Sequence, residues 1–280
     1  VCPLCSAGQQ RGDTENNRNL RMQWLQVGIL MAVLGVACTE STPPDRVSHP
    51  QSKSEPEAVD FDDLLVNGTS EYAKEKEEPI IRHFFRDRPD GFFVDVGCFK
   101  PRFASTTYYL ESELGWRGIG VDAEKSYADA WKWVRPRSKF FPYAVTDKSG
   151  ESVTFYAAGP IAALDKSNIK FWEKALDREI ETVEVLVPTI TIDDLLDREG
   201  VKKIDFLSID INGHEPIAMS AFDIQRFRPE LVHIEVHRRN REILAEYFEK
   251  NNYRRIDEYL EYDQTNWYFT PRKPAEADRG

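Results

Sequence analysis

Residues 91–97, GFFVDVG, and residues 116–122, WRGIGVD, decide the fold class of this 280-residue chain. Each is a short apolar run that ends on a glycine or an acid, and helical spacing of Tyr108, Tyr109 and Leu114 lies between them. This pattern indicates strand, helix and strand. Because parallel strands are joined by right-handed crossovers, the sequence predicts a mostly parallel α/β sheet with helices on both faces.

The same alternation continues towards the C-terminus. Between residues 150 and 200 the pattern is looser, and we interpret this segment as an insertion that flanks the site, in the position of a lid. The predicted strands are residues 139–145, 204–211, 231–237, 253–259 and 266–270, with 152–156 and 182–187 in the insertion, and the predicted helices are residues 103–114, 127–134, 169–176, 216–226 and 241–250.

The charge balance argues against a nucleic-acid partner. The chain has 48 acidic and 37 basic side chains, a formal net charge of −11, whereas proteins that bind nucleic acid through the phosphate backbone are basic. A hydrophobic content of 41% is enough to form a substantial core. We therefore expect an acidic globular domain with a further segment attached.

The first 75 residues have a different composition from the rest. Residues 1–21 are an uncertain leader, and residues 22–38 contain an apolar run too short to span a bilayer comfortably, which is typical of a signal peptide or membrane anchor ending at Cys38. Residues 39–75 are rich in Pro, Ser and Glu and are predicted to form a tether. The main domain is predicted over residues 76–271, with a polar tail at 272–280, and it is either cytoplasmic and tethered to the membrane or exported as a lipoprotein.

Two acids and a glycine mark a cofactor site. Asp95 and Gly97 lie where the first predicted strand turns into its helix, and Asp122 ends the second strand, where a carboxylate can accept hydrogen bonds from the hydroxyls of a ribose. Both NAD and S-adenosylmethionine fit this pattern. The residues after Gly97 lack the glycines that hold a pyrophosphate, which favours S-adenosylmethionine over NAD. Each acid could instead cap the helix that follows it.

Six motifs in order resemble the FkbM family of S-adenosylmethionine-dependent methyltransferases, over roughly residues 78–271. The resemblance implies a seven-stranded class I methyltransferase fold with an antiparallel last strand, and methyl transfer to a hydroxyl of a sugar or natural product. The motifs are VDVGCFKP, TTYYLESELGWRGIGVDAEKS, FPYAVTDKSG, TITIDDLL, IDFLSIDINGHEP and FRPELVHIEVH.

The resemblance also implies roles for individual residues. It puts Asp95 and Gly97 at the methionine end of the cofactor and Asp122 on the ribose. The motif of the family D-V-E-G-H-E is here D-I-N-G-H-E, so that Asn212 replaces a carboxylate and any role of that carboxylate as a base or ligand is lost. The predicted cofactor-binding residues are Asp95, Gly97, Cys98, Asp122, Tyr143 and Ala144, the last two lining the adenine pocket.

Polar residues at the ends of two later strands are candidates for the chemistry. In the strand from Leu231, the side chains of His233, Glu235 and His237 share one face, and Asp210 and His214 lie where the preceding strand ends. A buried core histidine is the alternative for His233. Methyl transfer to oxygen needs a base, and our candidates are His214 and His237. The predicted catalytic residues are Asp210, His214, Glu235 and His237. The same four side chains could instead bind a divalent metal ion, but we do not predict a metal.

Two classes of function compete. The first is an S-adenosylmethionine-dependent O-methyltransferase with a small-molecule or glycan hydroxyl as acceptor. The second is a catalytically silent surface lipoprotein or adaptor that retains the fold, motivated by the apolar run at residues 24–37, because exported compartments are not expected to supply S-adenosylmethionine. The acceptor and the oligomeric state do not follow from the sequence.

Overall fold

The structure, a computed structural model, describes residues 58–273. Residues 59–170 and 180–273 form one compact unit, and residues 171–179 fall outside it. The predictions for the leader, for the signal or anchor segment and for residues 39–57 lie outside the described residues. Within residues 58–273, no helix is both long and apolar enough to cross a bilayer.

Ten strands and nine α-helices make up the described chain. The strands are β1 Phe92–Val96, β2 Arg117–Val121, β3 Ser138–Phe141, β4 Ala144–Val145, β5 Ser152–Ala157, β6 Val183–Ile190, β7 Phe206–Ile209, β8 Leu231–Glu235, β9 Tyr253–Arg255 and β10 Asn266–Pro271. The helices are α1 Phe61–Asn67, α2 Glu77–Phe85, α3 Tyr108–Ser112, α4 Ala128–Val134, α5 Lys166–Leu176, α6 Ile192–Arg198, α7 Glu215–Ser220, α8 Ile224–Phe227 and α9 Arg241–Lys250.

Seven strands form the main sheet, in the order β3-β2-β1-β7-β8-β10-β9. The pairs from β3 to β8 are all parallel, and β10 runs antiparallel to both of its neighbours. The prediction of a seven-stranded, mostly parallel sheet with an antiparallel last strand is therefore confirmed.

Alternating side chains of the strands fill a core on each face of the sheet. Val94 and Ile209 belong to the core that also contains Leu244 of α9. Phe93 of β1 and Phe206 of β7 point to the opposite face of the sheet, where they pack with residues of α1, α2 and α3. The apolar face of α2 packs on the domain, since Ile80 and its neighbours Ile81 and Phe85 are buried in this second core.

Two predicted elements are split in the structure, and a third is shorter than predicted. The predicted strand 139–145 is split by Pro142, which has no N–H to donate to a ladder, into β3 of the main sheet and β4 of a second sheet. The predicted helix 216–226 becomes α7 and α8, because the side chain of Asp223 accepts a hydrogen bond from the N–H of Arg226 and starts a new helix. The predicted helix 103–114 shortens to α3.

The predicted insertion contributes β5 and β6 to a second sheet of three strands, in the order β4-β6-β5, and β4 precedes the insertion. The strands β5 and β6 pair antiparallel over six residues each, and β4 adds to β6 in parallel. Since β4 follows β3 directly, this small sheet is held at the carboxyl end of the main sheet.

The predicted tether ends earlier than expected. Asp60 caps α1 by accepting hydrogen bonds from the backbone N–H groups of Asp62 and Asp63, and Leu65 of the same helix is buried. Further on, the Glu78 carboxylate accepts the backbone N–H groups of Glu71 and Tyr72. Residues 60–75 are therefore part of the folded domain. The polar composition predicts a solvated segment, but nearby carboxylates accept its backbone N–H groups and hold it in place.

A buried ion pair holds the segment between β1 and α3. The guanidinium of Arg135 has no exposed surface, and its Nε lies 2.7 Å from Oε2 of Glu111. Its other nitrogens donate to the backbone carbonyls of Pro101 and Thr107, each at 3.1 Å. This one side chain thereby fixes the course of residues 101–107.

We predict that Glu111→Ala lowers the free energy of unfolding by about 3–5 kcal/mol, because it leaves a buried guanidinium without its counter-ion. Urea unfolding followed by circular dichroism measures the change. The matched control is Lys139→Ala, which removes an exposed partner of Glu199 and should cost far less. Equal losses for the two variants would contradict the prediction.

Candidate functional site

A cleft of about 770 Å³ opens at the carboxyl ends of β1, β2, β4 and β7. Ligands of parallel α/β sheets bind at this edge. The lining residues come from the ends of β1 and β2 and the turns after them, from β4 and the residue before it, and from the turn after β7. The rest come from β5, the loop after β5 and the segment before α2. The lining residues include Lys74, Gly97, Asp122, Glu124, Tyr127, Tyr143, Ala144, Phe155, Ala162, Leu164, Asp210 and Asn212.

Gly97 lies in the turn after β1 and lines the cleft as predicted. Its φ of +80° lies in the left-handed region, and a Cβ added there would lie 1.9 Å from the backbone oxygen of Asp210. Only glycine allows this approach. The turn after β1 and the turn after β7 are therefore in direct backbone contact at the edge of the cleft.

Asp95 and Cys98 flank this turn, but neither is among the lining residues. Asp95 is buried on the face of the sheet that α3 covers, where it accepts a hydrogen bond of 2.7 Å from the hydroxyl of Thr107, and burial raises its pKa to about 6. Cys98 is buried against β2, since a Cβ at Gly120 would lie 2.9 Å from its Sγ. The structure thus places both predicted side chains behind the wall of the cleft.

Asp122 lines the cleft at the end of β2. Its Oδ1 accepts the backbone N–H of Glu124 at 2.8 Å and its Oδ2 accepts that of Phe99 at 2.9 Å. Burial raises the pKa of Asp122 to about 6. Each carboxylate oxygen has a further lone pair, so the fixed carboxylate can still accept hydrogen bonds from two hydroxyls of a ligand.

Apolar side chains line the end of the cleft beside the second sheet. Ala144 and Phe155 belong to one small core, against which Ala123, Ala162 and Leu164 pack. The predicted residue Tyr143 lies next to Ala144 in the lining, and its hydroxyl accepts a hydrogen bond from Arg198. An apolar slot, a half-buried carboxylate and a glycine turn in this order fit the adenine, ribose and methionine parts of S-adenosylmethionine.

Three of the four predicted catalytic residues meet at the other end of the cleft. Asp210 lines it, and its carboxylate lies 3.2 Å from Nζ of Lys74. The carboxyl groups of Glu235 and Asp210 influence each other electrostatically, and Oε2 of Glu235 lies 3.0 Å from Nε2 of His237. The result is a continuous chain of four charged or titratable groups, with Asp210 and Lys74 at the cleft and Glu235 and His237 behind them.

The pKa values in this chain are shifted in different directions. Burial disfavours the charged form of Asp210, but the ammonium of Lys74 outweighs it and lowers the pKa of Asp210. Burial, together with the neighbouring Asp210 carboxylate, raises the pKa of Glu235. The hydrogen bond that His237 donates to the carboxylate of Glu235 raises the pKa of His237. Asp210 is therefore ionised, with a protonatable carboxyl group directly behind it.

His214 does not join this chain. It lies immediately before α7 and is not among the lining residues; the charged groups that influence it are Asp147 and Asp165, and burial lowers its pKa. The structure therefore does not bring His214 together with the other three predicted catalytic residues. Within residues 58–273, no three His, Cys, Asp or Glu side chains are grouped so that they could hold a metal ion.

Two functional residues were missed from the sequence. Lys74 lies in a charged stretch that we interpreted as tether, and no pattern there distinguishes it from its neighbours. Glu215 is fully buried, and its Oε1 accepts the backbone N–H groups of Ile211 and Gly213 at 3.1 and 2.9 Å. The signal for Glu215 was its place in D-I-N-G-H-E. It fixes the turn that carries Asp210.

We predict that Asp122→Ala weakens binding of S-adenosylmethionine by roughly tenfold to a hundredfold, the loss expected for hydrogen bonds to a charged group. Calorimetry measures the affinity. The control is Asp129→Ala, which removes an exposed acid in the first turn of α4 and should leave the affinity unchanged. An unaltered affinity of Asp122→Ala would remove this residue from the cofactor site.

Solved structures with partial similarity include two methyltransferases. The TehB-like SAM-dependent methyltransferase from Corynebacterium glutamicum ATCC 13032 Kitasato has 12% sequence identity and a TM-score of 0.40, over 76% of this chain and 94% of that chain. The precorrin-6y C5,15-methyltransferase from Geobacter metallireducens GS-15 has 11% identity and a TM-score of 0.39, over 72% of this chain and 89% of that chain. No curated protein sequence matches significantly.

The family comparison is specific. The model of the methyltransferase FkbM domain matches residues 95–264, which is more than half of the chain. The matched range begins at Asp95 in β1 and ends between β9 and β10, so it contains all the turns that form the cofactor side of the cleft. The chain therefore belongs to the FkbM family of S-adenosylmethionine-dependent methyltransferases.

Proposed function

We propose that this methyltransferase acts on a hydroxyl oxygen of an uncharged small molecule or glycan, such as a sugar or a natural product. The observation that carries the proposal is the chain from Lys74 through Asp210 and Glu235 to His237, which reaches the cleft beside Gly97. A hydroxyl acceptor is the class that needs such a chain, because its proton has to be removed during transfer.

Asp210, Glu235 and His237 can act together to accept the proton of the hydroxyl group. When bound, S-adenosylmethionine supplies a methyl group on a positively charged sulfur, and the bond from carbon to sulfur breaks as the bond from carbon to oxygen forms. Asp210, ionised at the cleft, accepts the hydroxyl proton. Behind it, Glu235 and His237 are hydrogen-bonded to each other. They can take the proton onward, since burial raises the pKa of Glu235 towards neutrality.

The charges in the cleft support an uncharged acceptor. The charged lining residues within the described part of the chain are Lys74, Asp122, Glu124 and Asp210, three acids and one base. The ammonium of Lys74 is already paired with Asp210. A phosphate or carboxylate on the acceptor would therefore meet acids without a free cation beside them, which agrees with the absence of a basic charge excess in the whole chain.

We predict that Glu235→Gln lowers the rate of methyl transfer roughly a hundredfold or more, because the glutamine amide cannot take up the proton. The measurement is single-turnover transfer of labelled methyl from S-adenosylmethionine to a panel of sugars and other polyhydroxyl compounds. Glu258→Gln, at an exposed position, is the control. Full activity of Glu235→Gln would exclude the proposed chain, and methylation of amines or thiols but of no hydroxyl would exclude the proposed acceptor.

The pH dependence tests the role of Lys74. Transfer should slow as the pH falls, since protonation of Glu235 and then Asp210 removes the proton acceptors. Lys74→Met removes the ammonium that keeps the pKa of Asp210 low, so the acid limb of the profile should move to higher pH, whereas Lys74→Arg should leave it near that of the wild type. The other charged or titratable groups that act on this chain are Glu77 on Lys74, His233 on Asp210, and Glu215 and Arg239 on His237.

The measurement is kcat against pH for the wild type and the two Lys74 variants. An acid limb that stays in place in Lys74→Met would show that the ion pair does not control the proton acceptor. A shift of equal size in Lys74→Arg would show that the position, and not the charge, matters.

A further inference from the structure

The loop of residues 158–164 forms one wall of the cofactor end of the cleft. Its residues Gly159, Pro160, Ala162, Ala163 and Leu164 are all among the lining residues. At its base, the N–H of Tyr156 donates to the carbonyl of Ala163 at 2.9 Å and the N–H of Ala163 donates back at 3.3 Å. This bridge closes the loop but does not connect it to the main sheet.

Asn212 makes that connection. Its side-chain Nδ2 donates to the carbonyl oxygens of Pro160 at 3.2 Å and Ala162 at 3.1 Å. The carbonyl of Asn212 in turn accepts a hydrogen bond of 2.7 Å from the side chain of Asn168. Both hydrogens of one carboxamide group are thus used to fasten the loop to the turn that carries Asp210.

The chemistry of this position requires an amide. Asn212 has a φ of +52°, in the left-handed region that asparagine tolerates better than most residues. A carboxylate there has no hydrogen to donate and would face two carbonyl oxygens. The replacement of glutamate by asparagine in D-I-N-G-H-E therefore exchanges a negative charge for two hydrogen-bond donors.

We propose that Asn212 is a positioning residue that fastens the loop 158–164 to the turn 210–213 and so sets how tightly the cleft holds S-adenosylmethionine. With the carboxamide in place, the apolar wall from Ala162 to Leu164 stays against Ala144 and Phe155. Without it, the hydrogen bonds that fasten the loop within residues 58–273 are reduced to the bridge with Tyr156. The inference concerns the cofactor end, so it does not depend on the chemical class of the acceptor.

Two substitutions separate the carboxamide from the backbone. Asn212→Asp keeps the shape and tolerance of a positive φ but loses both donors, and Asn212→Gly removes the side chain while allowing the same φ. Hydrogen exchange of residues 158–164, measured by mass spectrometry without cofactor, should become about tenfold faster in both variants. Calorimetry should show binding of S-adenosylmethionine weakened roughly 5- to 30-fold, as expected for the loss of two neutral hydrogen bonds.

The matched control is Asn251→Asp, which removes an amide that donates to the carbonyl of Tyr247 at 2.8 Å and does not line the cleft. It should leave loop exchange and cofactor affinity unchanged. Asn212→Glu, which restores the residue of the family motif, should behave like Asn212→Asp.

Unchanged exchange and affinity in Asn212→Gly would overturn the inference, as would wild-type behaviour of Asn212→Glu. If Asn212→Asp fails to fold, Asn212→Gly decides, because glycine adopts the backbone conformation without strain. Failure of the wild type to methylate any hydroxyl would overturn the proposed function and leave this inference standing, because exchange and affinity are measured without an acceptor.

Discussion

The site depends on one steric constraint, the contact between the backbones of Gly97 and Asp210. No side chain fits between them, since a Cβ at Gly97 would overlap the carbonyl of Asp210. Hydrogen bonds from Gly97 to Val121 and from Asp210 to Val96 hold both turns against the ends of neighbouring strands. Asp122, at the proposed ribose site, and Asp210, the proposed proton acceptor, therefore open on the same cleft, although they lie 88 positions apart in sequence.

Segments far apart in the chain complete this cleft from opposite sides. Lys74, which precedes the range matched by the family model, reaches Asp210 from the side of α1 and α2. The loop 158–164 reaches Asn212 from the side of the second sheet. Both segments contact the turn from Asp210 to Gly213, and the buried carboxylate of Glu215 accepts backbone N–H groups of this turn. The segment before α2 and the loop after β5 thus act on the same four residues.

The sheet was predictable because apolar runs of strand length directly reflect burial on both faces. The ends of strands also identified Gly97, Asp122 and Asp210 as cleft residues. Side-chain direction was less predictable: alternation along β1 turns Asp95 towards Thr107, and His214 belongs to a turn whose course depends on a glycine with positive φ. Lys74 could not be found, because its role arises from tertiary contact and not from any local pattern.

The excess of acids in the cleft has a consequence for turnover. Three carboxyl groups and one ammonium attract a sulfonium cation, and transfer of the methyl group leaves an uncharged thioether on the same scaffold. The residues that favour binding of the cofactor therefore favour its product less. The negative charges of Asp122, Glu124 and Asp210 therefore favour the charged cofactor over its uncharged product, which promotes replacement of the product by a new cofactor molecule. Added salt screens this preference only in the part of the cleft that is open to solvent.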